Sequence, residues 1–242
     1  MKKFCIILLI TISIGNAYSQ EKILPYTQVC FGINPTLNSA LHITSQTETS
    51  YLKSRPTING ELNIGIRQRI WKNLSAKVAF GCEIFRFHHE YQINSGSLSK
   101  KYKSTNYFSG AITIPISLQY ETMCFPKVNF FAEAGVKLHI LFEPFFYYIV
   151  SVVDEEMMEA YQLDLYSGKK SLLVSGFAKA GILFSTPKAH SFIIALTANY
   201  CPQRVFKGTY TFNNIANEYG DISMGINSIG FEFVYCLPVW RK

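Results

Sequence analysis

Residues able to do acid–base or metal chemistry are few and scattered along this chain. The histidines are His42, His88, His89, His139 and His190. His88-His89-Glu90 sets three metal-capable side chains in a row, but neighbours in a strand point to opposite faces, so a shared ion is disfavoured. His190-Ser191 joins a base to a hydroxyl, the start of a nucleophile-plus-base arrangement, yet it falls in a short turn. Asp154, Glu155, Glu156 and Glu159 form an acidic stretch whose spacing is not that of an EF-hand loop, and a solvated loop or short helix is the expectation. Cys30, Cys82, Cys124, Cys201 and Cys236 show neither C-x-x-C nor metal-like spacing. No cofactor and no metal are implied.

The elements that would position these residues are strands. The chain has 242 residues, 48% hydrophobic and 15% aromatic but only 16% charged. That composition excludes disorder, coiled coil and a zinc-finger array. The charge of +7 is spread along the chain, which argues against a nucleic-acid partner. Residues 1–19 read as a secretory signal peptide: Lys2-Lys3, an eleven-residue apolar run from Phe4 to Ile14, then Ala17 and Ser19 before a cut that leaves Gln20 first. Residues 20–242 read as one barrel domain.

Period two dominates that domain. In Ile58–Ile66, Ile58, Leu62, Ile64 and Ile66 share one face, against Asn59, Glu61, Asn63 and Gly65. The same pattern marks Leu74–Ile84, Phe108–Tyr120, Val128–Phe142, Leu172–Phe184, Ser191–Tyr200 and Ile229–Leu237. A shorter first segment carries Val29, Phe31 and Ile33. None of the eight apolar faces carries a charge. Long polar connections (35–57, 94–107, 143–171, 202–221) alternate with short ones (71–73, 121–127, 185–190). Long and short connections therefore collect at opposite ends, as in an outer-membrane barrel with short periplasmic turns. Phe145–Val153 is apolar and reads as an upward extension of the fifth strand.

Alternation alone leaves two arrangements open: a soluble lipocalin-like barrel with the apolar face inward, or a membrane barrel with it outward. Two features favour the membrane. The polar face is rich in glycine, at Gly32, Gly65, Gly81, Gly135, Gly181 and Gly230, which suits a narrow lumen. The apolar face ends in aromatics: Trp71, Tyr120, Phe184, Phe192 and Tyr235 at the short-turn end, Phe108, Phe142 and Tyr200 at the other. The expectation is an all-β, eight-stranded antiparallel up-and-down transmembrane barrel.

Its lumen would then hold Glu61, Glu83, Glu133 and Glu232 with Arg67, Arg69, Lys77, Lys137 and Lys179. Folding the second strand onto the third sets Arg67 opposite Lys77 and Glu61 opposite Glu83, which is unfavourable unless counter-ions reach across. Glu133 and Glu232 sit at the depth of Arg67 and Lys77 and are the expected counter-ions, giving a plugged barrel. Cys30 and Cys236 would face the lumen on the first and last strands, where a disulfide is geometrically open to them.

The run Ile112-Thr113-Ile114-Pro115-Ile116-Ser117-Leu118-Gln119-Tyr120 with Phe130-Phe131-Ala132-Glu133-Ala134-Gly135-Val136 resembles the PorT-like outer-membrane protein β-barrel domain family, over roughly residues 26–237. The resemblance implies an outer-membrane location, about eight strands and no catalysis. Ser228, Gly230, Phe233 and Tyr235 also resemble the insertion signal read by the barrel-assembly machinery. The partners implied are outer-membrane lipid, that machinery, and an external or envelope protein met through the long loops. A small-solute pore and a lipid A-modifying enzyme are the competing roles. The enzyme would need a His, a Ser and an acid near the external rim, and no His-x-Ser pair is present.

Overall fold

Alternating side chains with charge on one face only can be satisfied by closing a sheet on itself, and the computed structural model does so. It describes residues 27–40, 42–45, 52–95, 98–102, 107–125, 127–142, 147–153, 159–167, 172–186, 190–212 and 219–240. The expected signal peptide and residues 154–156 of the acidic stretch lie outside them. Eight strands form the wall: β1 (Thr27–Asn38), β4 (Thr57–Arg69), β5 (Leu74–Ser95), β7 (Tyr107–Phe125), β8 (Val128–Leu141), β11 (Leu172–Ser185), β12 (Ser191–Tyr200) and β15 (Ser228–Trp240). Each pairs antiparallel with the next, and β1 pairs with β15, so no wall edge is left open.

The wall is staggered. From Gln28 the register steps through Arg67, Lys77, Ser117, Gly135, Phe177, Asn199 and Ser228 and returns to β1 at Asn38, ten residues further along. Stagger of this kind tilts the strands and fixes how wide eight of them can be. The burial alternates strictly: along β4, Ile58, Leu62, Ile64 and Ile66 are exposed, and Asn59, Glu61, Asn63 and Arg67 are buried. Apolar side chains point out and charges point in, the reverse of a lipocalin. Trp71 at the short-turn end is 72% exposed and Tyr200 at the other end 65%.

Four expectations are corrected by the strand boundaries. The long connections are not polar loops. They contain β2 (His42–Ser45), β3 (Leu52–Arg55), β6 (Leu98–Tyr102), β9 (Tyr147–Val153), β10 (Glu159–Ser167), β13 (Arg204–Phe212) and β14 (Tyr219–Gly225). Five of these form a second sheet in the order β2-β14-β13-β10-β9, while β3 and β6 pair with the overhanging end of β5. Tyr147–Val153 does not extend the fifth wall strand; it is β9, paired with β10 in the second sheet. Glu159 opens a strand, not a helix. Finally, β7 runs on to Phe125, so Glu121 belongs to a strand and not to a turn.

The second sheet has an apolar side, which is why it forms. Val205, Phe206, Tyr210 and Phe212 of β13 and Ile222 and Met224 of β14 are buried with Leu52 of β3 and with Phe85, Phe87, Ala111, Leu141 and Leu173, the inward residues at the long-loop end of the barrel. Phe87 and Phe206 rings stand 4.8 Å apart. The long connections thus fold into a cap whose apolar underside closes the barrel mouth.

Candidate functional site

The lumen beneath the cap is built in tiers. Nearest the short turns, Arg67 forms an ion pair with Glu121 and donates through Nη1 to Gln28 Oε1 at 2.8 Å. Gln28 Nε2 in turn donates to Ser191 Oγ at 3.1 Å. Glu121 also meets Arg69 at 3.6 Å and accepts from Gln119 and Asn129. In the middle, Lys179 Nζ donates to both oxygens of Glu232, at 2.9 and 2.8 Å, and stands 3.5 Å from Glu133. Lys77 lies 3.8 Å from Glu232, and Ser117 Oγ donates to Glu133 at 2.7 Å. Higher up, Lys137 Nζ donates to Glu61 at 2.7 Å, and Thr113 Oγ1 donates to the same carboxylate at 2.9 Å.

The register sets Arg67 opposite Lys77 and Glu61 opposite Glu83, as the folding of β4 on β5 requires. The counter-ions come from across the lumen, and the assignment departs from the expectation at Arg67. Lys77 takes Glu232 and also attracts Glu133, which stands 3.5 Å from Lys179. Arg67 takes Glu121. Glu121 continues the alternation of Thr113, Pro115, Ser117 and Gln119 by one step, past the point where a turn was expected. Its inclusion makes five carboxylates against five bases, Glu61, Glu83, Glu121, Glu133 and Glu232 against Arg67, Arg69, Lys77, Lys137 and Lys179. A desolvated lumen needs that balance. One cavity among these charges, lined by Glu61, Lys77, Glu133, Lys137, Lys179 and Glu232, holds about 10 Å³, barely one water.

A second cluster was invisible to spacing. His139 on β8 places Nε2 2.8 Å from Ser175 Oγ on β11 and Nδ1 3.2 Å from Glu83 Oε2 on β5. Acid, imidazole and hydroxyl therefore meet, although no His-x-Ser pair exists. Asn199 Nδ2 donates to the Ile226 carbonyl at 2.8 Å, which turns its Oδ1 toward Ser175. Ser175 Oγ lies 2.7 Å from that oxygen, to which it can donate, and 2.8 Å from His139 Nε2. Glu83, His139 and Ser175 are all buried, and the Phe85 ring stands 6.5 Å from that of His139.

His88 and His89 lie opposite Arg55 and Ser54 on β3. Among the described residues no group of three or more His, Cys, Asp or Glu could hold a metal ion. His190 bonds the Tyr235 hydroxyl at 2.7 Å. Ser228 and Gly230 face inward on β15, and Phe233 faces outward. The glycines of the polar face sit against neighbouring backbone or side chains: a Cβ on Gly230 would collide with the Pro35 carbonyl and Thr36. Cys30 and Cys236 are bonded across the β1–β15 seam.

A closed eight-stranded antiparallel barrel, apolar outside and charged within, is a transmembrane β-barrel. No protein-family model and no curated protein matches the chain. Among solved structures it is similar to the outer membrane protein OprG from Pseudomonas aeruginosa, with 11% identity over 88% of this chain and 96% of that one and a TM-score of 0.47. Neisserial surface protein A gives 14% identity over 87% and 98%, with a TM-score of 0.42. Ail, the attachment invasion locus protein of Yersinia pestis, gives 10% identity over 88% and 99%, with a TM-score of 0.34.

Proposed function

We propose that this chain is an integral outer-membrane protein of the PorT-like kind, with a structural or interaction role exerted through its external cap and no open pore. One observation carries the reading: ion pairs cross the lumen in tiers around a cavity of about 10 Å³, and the apolar underside of the cap packs on the inward residues at the long-loop end. A channel would leave a continuous polar path. In this reading the precursor is cut after Ser19. The barrel-assembly machinery then reads Ser228, Gly230, Phe233 and Tyr235 on the last strand. The partner is an envelope or external protein that meets the cap. No nucleic acid and no cofactor take part.

The test is electrical. Purified protein in planar lipid bilayers is expected to give no stable single-channel steps. Large, stable conductance would overturn the closed reading in favour of a small-solute pore. Altered lipid A in cells expressing the protein would overturn the non-enzymatic part.

A further inference from the structure

The Cys30–Cys236 bond joins residues 206 apart in sequence, across the seam that closes the barrel. Both cysteines face the lumen and have no solvent exposure. They pack in an apolar cluster with Phe131, Leu183, Ile193, Ala195 and Val234. On the short-turn side the cluster is shut by the Gln28–Ser191 and Gln28–Arg67 bonds, one inward step from Cys30 along β1. On the other side stands the Lys179–Glu232–Lys77 tier. A sulfur in this position has no approach line for a reagent in the closed barrel.

Thiol–disulfide exchange needs such a line, because the attacking thiolate must reach the donor's sulfur directly. We propose that the Cys30–Cys236 bond is made before the β1–β15 seam closes, by a disulfide-carrying thiol oxidoreductase acting on the still-open chain. One cysteine thiolate attacks the donor's disulfide, forming a mixed disulfide and expelling one donor thiolate. The second cysteine thiolate then attacks the mixed disulfide at the protein sulfur, forming Cys30–Cys236 and expelling the other donor thiolate. Two electrons pass to the donor, which leaves as a dithiol carrying the two protons given up by the cysteines. Closure then acts on a chain whose first and last wall strands are already tied, and it seals the bond against later reduction. The proposal does not depend on what the cap binds.

The probe is oxidised glutathione. Mature protein in which Cys82, Cys124 and Cys201 are replaced by serine retains only the pair. It is reduced, folded into detergent micelles without oxidant, and compared with the same chain in urea for loss of free thiols. The closed barrel should react at least about 1,000-fold more slowly, because reaction waits on opening. Reaction within about tenfold of the unfolded rate would overturn the proposal. If the reduced chain does not close at all, closure by the pre-oxidised chain still establishes the order. Failure of the pre-oxidised chain to close, with closure of a Cys30→Ser/Cys236→Ser variant, would refute it.

Discussion

Replacing Glu232 with glutamine probes the centre of the lumen. Its carboxylate is 1% exposed, accepts two bonds from Lys179 and lies 3.8 Å from Lys77. Glutamine keeps the volume and removes the charge. Lys179 then retains Glu133 at 3.5 Å, while Lys77 loses its ion pair within 4 Å and keeps the longer-range attraction of Glu133. Leaving a buried charge without its partner costs roughly 3–5 kcal/mol. Glu133→Gln should cost less, about 1–3 kcal/mol, because Lys77 and Lys179 both keep Glu232 and Ser117 can still donate to the amide oxygen. Urea-dependent equilibrium folding into detergent micelles measures both, with stability extrapolated linearly in urea. Adding Lys179→Met to Glu232→Gln completes a double-variant cycle. The pair should be coupled, with the double variant less damaged than the sum of the single ones. A cost below about 1 kcal/mol for Glu232→Gln, or equal costs for the two glutamates, would refute the tiered pairing.

Leu62 is 61% exposed on the outer wall; Leu62→Arg should destabilise the barrel by about 2–4 kcal/mol in lipid vesicles, whereas a water-facing wall would tolerate it. Unheated and boiled samples should migrate differently in SDS, since every wall edge is paired; identical mobility would count against closure. Denatured but unreduced mature protein should label at three cysteines, Cys82, Cys124 and Cys201, and at five after reduction. Gly230→Ala should lower stability because its Cβ meets the Pro35 carbonyl, while Gly176→Ala, with open space around it, should not; equal effects in thermal unfolding would refute the packing account of Gly230.

The eight wall strands were legible in the sequence because their information is local. A period of two, repeated with every charge on one face, gives strand and facing together, and the order of long and short connections gives the up-and-down topology. The like-charge juxtapositions Arg67–Lys77 and Glu61–Glu83 followed from one short turn, and so did the need for counter-ions. Which acid answers which base did not follow. Partners across a lumen are set by stagger and tilt, and a ten-residue stagger puts Glu121 under Arg67 and Glu232 beside Lys179. The meeting of Glu83, His139 and Ser175 has the same origin, three strands contributing one residue each. The cap was hidden for a related reason. Val205, Phe206 and Tyr210 look like stray apolar residues in a polar connection, and Ile222 and Met224 like its ragged end, until segments far apart in sequence pair and turn that side onto the barrel mouth. Local periodicity decided what each strand is; only closure decided what each inward side chain touches.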